Sequence, residues 1–168
     1  EKNMAACMEQ KQKELYHVHA QRVALMLQNQ TEEEFADSRF QVLSELTRLR
    51  QLCCDPALVY ENYEGGSAKL DLCIELILSA VESGHKILLF SQFTSMIEIL
   101  TARLQEESIS CFVLQGSTKK EQRAQMVEQF NRDDTSVFCI SLKAGGTGLN
   151  LTGADIVIHY DPWWNVAV

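Results

Sequence analysis

The chain has 168 residues, 46% of them hydrophobic, and a formal net charge of −8 from 15 Lys and Arg against 23 Asp and Glu. That is apolar material for one packed domain with an appendage; no stretch approaches the roughly 20 uninterrupted apolar residues of a membrane helix, so no membrane partner is expected, and the polar N-terminus does not read as a secretory signal. The negative balance argues against a freestanding nucleic-acid binder acting through bulk charge, while Lys119, Lys120, Arg123 and Lys143 are either a local basic rim or scattered solvated charges.

Residues 3–29 predict a long helix, with Met4, Met8, Leu15, Val18 and Leu25 at helical spacing. His17 and His19 fall on different faces of it, so the pair is not read as a metal site. Thr31-Glu-Glu-Glu34 is a capping-box signature. It opens a second helix with the stripe Phe35, Val42, Leu46, Leu49 and Cys53, which Asp55-Pro56 ends because a residue before proline is pushed out of helical angles. The two make a helical hairpin, with Gly65-Gly66 in a linker, and the division expected is 1–66 and 67–168.

From Ser67 onward helix and strand alternate. Ser67 caps a helix over 68–83 that Gly84 stops. Strands are expected at 86–90, 110–114, 136–140 and 155–160. Helices are expected at 93–107, on the stripe Phe93, Ile97, Leu100 and Leu104, and at 119–131, with Val127 and Phe130 inward. Strands that are continuously apolar and joined by helices imply a parallel sheet covered on both faces, an α/β fold. The six cysteines (Cys7, Cys53, Cys54, Cys73, Cys111 and Cys139) hold no Cys-x-x-Cys pair; Cys73, Cys111 and Cys139 fall in apolar patterns and read as buried, reduced thiols of an intracellular protein.

In parallel sheets ligands collect beyond the carboxyl ends of the strands, and the unusual residues stand there: Ser91-Gln92, Gln115-Gly116-Ser117, Ser141 to Asn150, and Asp161 to Asn165. Gly116-Ser117-Thr118, ahead of a helix, suits an anion or serves as a plain helix cap. Gly145-Gly-Thr-Gly148 lies in no Gly-x-x-x-x-Gly-Lys-Ser/Thr context and is not a P-loop. Ser141, Lys143 and Thr147 nevertheless bring hydroxyls and an ammonium to that turn, where glycines admit close backbone approach by a phosphate. Trp163 and Trp164, adjacent in an extended segment, face opposite ways; one reaches out to stack on nucleic acid, or both are core or cover a partner.

Phe90-Ser-Gln-Phe93, Gly116-Ser-Thr118 with Arg123 and Phe130, Ser-Leu-Lys-Ala-Gly-Gly-Thr-Gly-Leu-Asn-Leu over 141–151, and Asp-Pro-Trp-Trp-Asn over 161–165 together resemble the second motor lobe of Swi/Snf-type helicase-like ATPases, with a flavour of bacterial members. The resemblance spans essentially the whole chain and is most specific over 141–165. It implies a RecA-like parallel sheet with helices on both faces, plus an N-terminal helical hairpin protrusion. It also implies an ATP- and Mg2+-dependent motor on double-stranded DNA, working between two lobes. Carried over by position, Ser91, Gln92, Gly116, Ser117, Thr118, Ser141, Lys143, Thr147 and Trp164 would face DNA, and Gly148 and Asn150 the nucleotide ribose. The first motor lobe, and a DNA-bound protein such as RNA polymerase, are the implied partners, in the cytoplasm or, in a eukaryote, the nucleus.

Two departures qualify the resemblance. Val166 stands where the family usually has proline, and no arginine follows Arg132, so the arginine-rich motif VI is not represented. The Walker lysine and magnesium-binding acids of a first lobe are not represented either. No catalytic residue is therefore assigned, no nucleotide is expected bound to this stretch, and ATP hydrolysis by these residues alone is not expected. The alternatives are the lobe of a helicase acting on RNA or single strands, or a module whose hairpin docks a protein.

Overall fold

A computed structural model describes residues 1–28, 31–145 and 148–161. The chain divides into two compact units, 1–72 and 73–168, so the break falls after Leu72, inside a helix; the sequence places its boundary at the Gly65-Gly66 linker.

The first unit is a helical hairpin of α1 (Gln10–Leu27) and α2 (Glu32–Cys54). The capping box forms as expected: Thr31 Oγ1 accepts from Glu34 N at 3.3 Å, and Thr31 N donates to Glu34 Oε2 at 2.8 Å. Asp55 ends α2 and, by accepting from Ala57 N at 2.8 Å, starts a 3-10 turn over Pro56–Leu58. The helices run antiparallel, with Gln12 Nε2 donating to Leu52 O at 2.8 Å near one end and His19 meeting Glu45 further along.

The hairpin departs from the sequence prediction in two ways. α1 starts at Gln10 rather than residue 3, because a helix end without a buried face gains too little to offset the entropy of ordering, and Met4 is left 48% exposed. The inward stripe also differs. Gln12, His19 and Val23 are buried on α1, while Val18 and Leu25 are 62% and 68% exposed. On α2, Val42, Glu45 and Leu52 are buried, and Phe35 and Phe40 are exposed. On α1 apolar periodicity finds the wrong face because Gln12 and His19 occupy the right one, Gln12 bonded to Leu52 O and His19 to Glu45 and Tyr60. On α2 the expected Val42 is buried and Leu46, Leu49 and Cys53 are half-buried.

The second unit is a sheet of four parallel strands among the described residues, β1 (Ile87–Ser91), β2 (Cys111–Leu114), β3 (Val137–Ser141) and β4 (Ile156–His159), in the order β2-β3-β1-β4. Its helices are α3 (Ala68–Glu82, crossing the division), α4 (Thr94–Glu106), α5 (Lys120–Arg132) and the short α6 (Leu142–Gly145). Ser67 Oγ caps α3 at Leu70 N, and Gly84, at φ +80°, ends it where side-chain-bearing residues are strained. The path from β1 to β2 runs one way across the sheet, through α4. The paths from β2 to β3 and from β3 to β4 run the other way. Parallel crossovers share one hand, so the two directions must use opposite faces. Accordingly, Phe130, Met126 and Val127 of α5, with Leu149, Leu151 and Ala154, pack on Leu88, Leu114, Phe138 and Ile140. On the other face Cys139 meets Thr101 of α4 and lies near Cys73 of α3.

Every residue of β3 is buried, as a central strand covered on both faces requires. β4 instead alternates, with Val157 55% exposed, because it is the last strand in the order and α5 lies over the β2 side. At the amino end of the sheet Lys86 Nζ donates to Phe130 O and to Asp133 O (2.7 Å) and sits 4.3 Å from the Phe130 ring centroid, tying the end of α5 beneath β1. No helix among the described residues is long and apolar enough to cross a membrane.

Phe130 is fully buried against Phe138, with ring centroids 5.2 Å apart. Phe130→Ala should destabilise the second unit by about 3–5 kcal/mol, read as faster hydrogen exchange of the β3 amides, which report that unit alone. Cys111 offers a pH readout. A hydrogen bond from the Cys139 thiol holds the half-buried Cys111 thiol down at about 7, while Cys139 itself is raised well above the usual range. The thiolate is the reactive form, so iodoacetamide labelling of Cys111, followed by peptide mass spectrometry, should rise with pH through a midpoint of about 7. Cys139→Ala should move that midpoint upward.

Candidate nucleic-acid interface at the carboxyl rim

Because all four strands run parallel, the segments after them meet at one rim. After β1, Ser91 is fully buried, and its hydroxyl accepts from Phe93 N at 3.2 Å to turn the chain into α4. Gln92 N donates to both carboxylate oxygens of Asp161 (3.3 and 3.1 Å), a buried residue just past β4. The Gln92 side-chain amide nitrogen is buried with no hydrogen-bond partner among the described residues.

After β2 the chain closes a tight turn, with Thr118 N donating to Gln115 O at 3.0 Å and Gln115 N to Thr118 Oγ1 at 3.1 Å. Arg123, one turn into α5, holds this loop from behind. Its Nε donates to Thr118 O (2.9 Å), and its Nη2 donates to Gln115 O and Gly116 O (3.3 Å each). One planar cation thus engages three carbonyls, which suits guanidinium geometry. Gly116 and Ser117 stay exposed, and a Cβ at Gly116 would meet nothing within 4 Å. The uncapped first amides of α5 lie next to them.

After β3, Ser141 stands in register with Ser91; it is 2% exposed, and its hydroxyl has no partner among the described residues. The glycine-rich loop predicted from Ser141 begins instead as α6, whose Ala144 plugs into the core and leaves Lys143 exposed. A small residue at 144 lets the chain turn down onto the sheet before the glycines. Gly148 then adopts φ +56° with open space at its Cβ position. The following loop is clamped by Asn131 of α5, whose Nδ2 donates to Asn150 O (2.9 Å) and whose Oδ1 accepts from Gly153 N (2.8 Å). A Cβ on Gly153 would come within 2.9 Å of Asn131 Cα, so only glycine permits this approach.

The two clamped loops face one cavity of about 630 Å3, lined by Thr118, Lys120, Arg123, Gly148, Leu149 and Asn150 among others. Thr118, Gly148 and Asn150 are therefore brought together; Gly116 and Ser117 sit on the same exposed turn, and Lys143 follows the neighbouring strand. Ser91, Gln92 and Ser141 are held at the inner edge of the rim, the two serines turned into the protein. Thr147 and Trp164 lie outside the described residues. Asn131 and Asp161 are the residues that sequence reasoning left without a role. Asp161 could have been flagged by its place in Asp-Pro-Trp-Trp-Asn, whereas nothing local marks Asn131, whose partners lie about twenty positions away. Among the described residues no group of three or more His, Cys, Asp or Glu is placed to hold a metal ion.

Residues 68–168 match the family model of the helicase conserved C-terminal domain. The fold matches the "Sulfolobus solfataricus SWI2/SNF2 ATPase C-terminal domain" with a TM-score of 0.84 and 28% identity, covering 99% of this chain and 74% of that one. This chain belongs to the Swi/Snf-type helicase-like family, as its C-terminal RecA-like lobe. A second structure of the family, the Sulfolobus solfataricus SWI2/SNF2 ATPase core in complex with dsDNA, aligns with a TM-score of 0.84 and 27% identity over 98% of this chain and 35% of that one. In sequence the chain is 39% identical over 135 residues to an "Uncharacterized ATP-dependent helicase" of Mycoplasma pneumoniae. The match takes in 78% of this chain and 13% of that relative's length, so the lobe spans only a small part of such a helicase.

If Arg123 anchors the turn as its hydrogen bonds indicate, Arg123→Ala should speed amide exchange over residues 116–118 by at least about tenfold while β3 stays protected. Arg123→Lys should not restore protection, because an ammonium has no planar fork with which to hold three carbonyls.

Proposed function

We propose that this lobe belongs to an ATP-dependent translocase on double-stranded DNA that remodels protein–DNA complexes, and that its carboxyl rim couples nucleotide to DNA. The observation that carries the reading is the shared cavity: Thr118, Lys120 and Arg123 line the same space as Gly148 and Asn150. The likeness to a SWI2/SNF2 core in complex with dsDNA supports it.

In this reading the exposed Gly116 and Ser117 offer backbone and hydroxyl donors to a DNA phosphate, with Thr118 beside them closing the turn and Arg123 holding the carbonyls of Gly116 and Thr118. Lys143 adds an exposed charge to the same rim, the buried Ser141 supports the start of that segment from within, and Thr147 is assigned to the phosphate contact by the family resemblance. Gln92 stands at the inner edge of that path, while the fully buried Ser91 acts behind it by setting the turn into α4; Trp164 is assigned to the groove by the family resemblance. Gly148, with no side chain, and the exposed Asn150 suit close approach by a ribose. ATP supplies the phosphoryl transfer that drives the motor; its phosphates and Mg2+ are assigned to a first lobe by the family resemblance. The first motor lobe and a DNA-bound protein such as RNA polymerase are the partners, in the cytoplasm or nucleus.

The exposed Val18, Leu25, Phe35 and Phe40 support a second reading, in which the hairpin also docks a protein. ATPase activity of the intact protein separates the readings. Duplex DNA should stimulate it well above single-stranded DNA or RNA; equal stimulation by RNA would transfer the lobe to an RNA or single-strand helicase. Lys143→Ala should lower DNA-stimulated turnover and reduce the salt dependence of duplex binding by about 0.9 in log–log slope, the signature of one lost phosphate contact.

A further inference from the structure

The first unit holds a polar arrangement that the rim does not use. His19 is buried between two partners: its Nδ1 lies 3.1 Å from Glu45 Oε2, and its Nε2 lies 2.8 Å from the Tyr60 hydroxyl. His19 thus bridges the Glu45 carboxylate and the Tyr60 hydroxyl through its two ring nitrogens. The other Glu45 oxygen is shared by Arg48 (Nη1, 3.1 Å) and Arg22 (Nη1, 3.7 Å). Glu45 is 6% exposed in its side chain, whereas the two arginines remain 46% and 57% exposed.

One buried carboxylate therefore positions two guanidiniums from neighbouring helices and offsets only one of their two charges. Most of each fork's N–H donors stay uncommitted. Both arginines line a cavity of about 480 Å3, together with Gln51 and Tyr60 and with an apolar side from Leu58 and Val59. Pre-positioned guanidinium forks with an amide beside them are donors without acceptors. Their complement is an oxyanion with several oxygens, and the bidentate geometry fits phosphate.

We propose that this cavity of the helical hairpin is a phosphate-binding site, with Arg22 and Arg48 as the binding forks, Gln51 as a further donor, and the His19–Glu45 pair as positioning residues. The phosphate comes from a DNA backbone or from a free phosphate compound; the chemistry at the cavity is the same.

The test is NMR of the 168-residue chain titrated with inorganic phosphate, with sodium chloride at matched ionic strength as control. The Nε–H resonances of Arg22 and Arg48 should move saturably with phosphate and not with chloride. Arg22→Gln should weaken the apparent affinity by about tenfold, as expected for a lost charge-assisted contact. Gln51→Glu, which leaves Glu45 and both its arginine partners intact, should abolish binding by adding a negative charge. Unchanged His19 and Tyr60 resonances in both variants would show that the hairpin still folds. A duplex oligonucleotide that displaces phosphate from these resonances identifies the DNA backbone as the source; no displacement identifies a free phosphate compound. Absence of saturable shifts at Arg22 and Arg48, or binding that survives Gln51→Glu, would overturn the site. The phosphate titration stands independently of whether the carboxyl rim binds DNA.

Discussion

A single constraint organises the second unit: parallel strands can be joined only by crossovers of one hand. β1 to β2 runs one way across the sheet, so α4 covers one face; β2 to β3 and β3 to β4 run the other way, so α5 and the segment after Gly148 share the opposite face. Everything at the rim follows. The turn before α5 and the loop before β4 become neighbours although some thirty positions separate them in the chain, and α5 supplies a clamp to each. Arg123 holds one loop by its carbonyls and Asn131 holds the other by its backbone, so the walls of the cavity are set by the helix that lies between them. Phe130 and Lys86 anchor that helix to the sheet and so bear indirectly on the geometry of the site.

The first unit is held by different physics. Its helices carry polar residues at interior positions, and the hairpin closes through the hydrogen bond from Gln12 to Leu52 O and the one between His19 and Glu45, as well as through Val23, Val42 and Leu52. A buried polar network is tolerable only when its members are paired; here Glu45 receives His19 on one oxygen and two arginines on the other. The cost is that apolar residues such as Val18, Leu25 and Phe40 are displaced to the surface.

The contrast explains which parts of this protein could be read from its residues. Strand and helix positions of the second unit lie within a residue or two of those predicted, because continuous apolar strands, Gly84 and the cap at Ser67 act locally, as the Thr31 cap does for α2 of the hairpin. The rim could be located because glycines and hydroxyls cluster after strands, and the family was legible in residues 141–165. The inward face of α1 was not legible, since periodicity counts only apolar side chains and the interior there is polar. Nor was the start of α1, where helical spacing persists without a surface to bury. The exposed face of β4 was missed for a related reason: an apolar run does not say whether its strand is central or at the edge.

By itself, then, the sequence determined the α/β alternation, the capping of its helices, the parallel sheet and the chemical character of the rim, all of which depend on near neighbours in the chain. Only the tertiary structure decided that Thr118 and Asn150 share one cavity, that Ser91 and Ser141 turn inward, and that Arg22 and Arg48 meet over Glu45. Those outcomes rest on strand order and on contacts between residues far apart in the chain, where no local signal marks the partner.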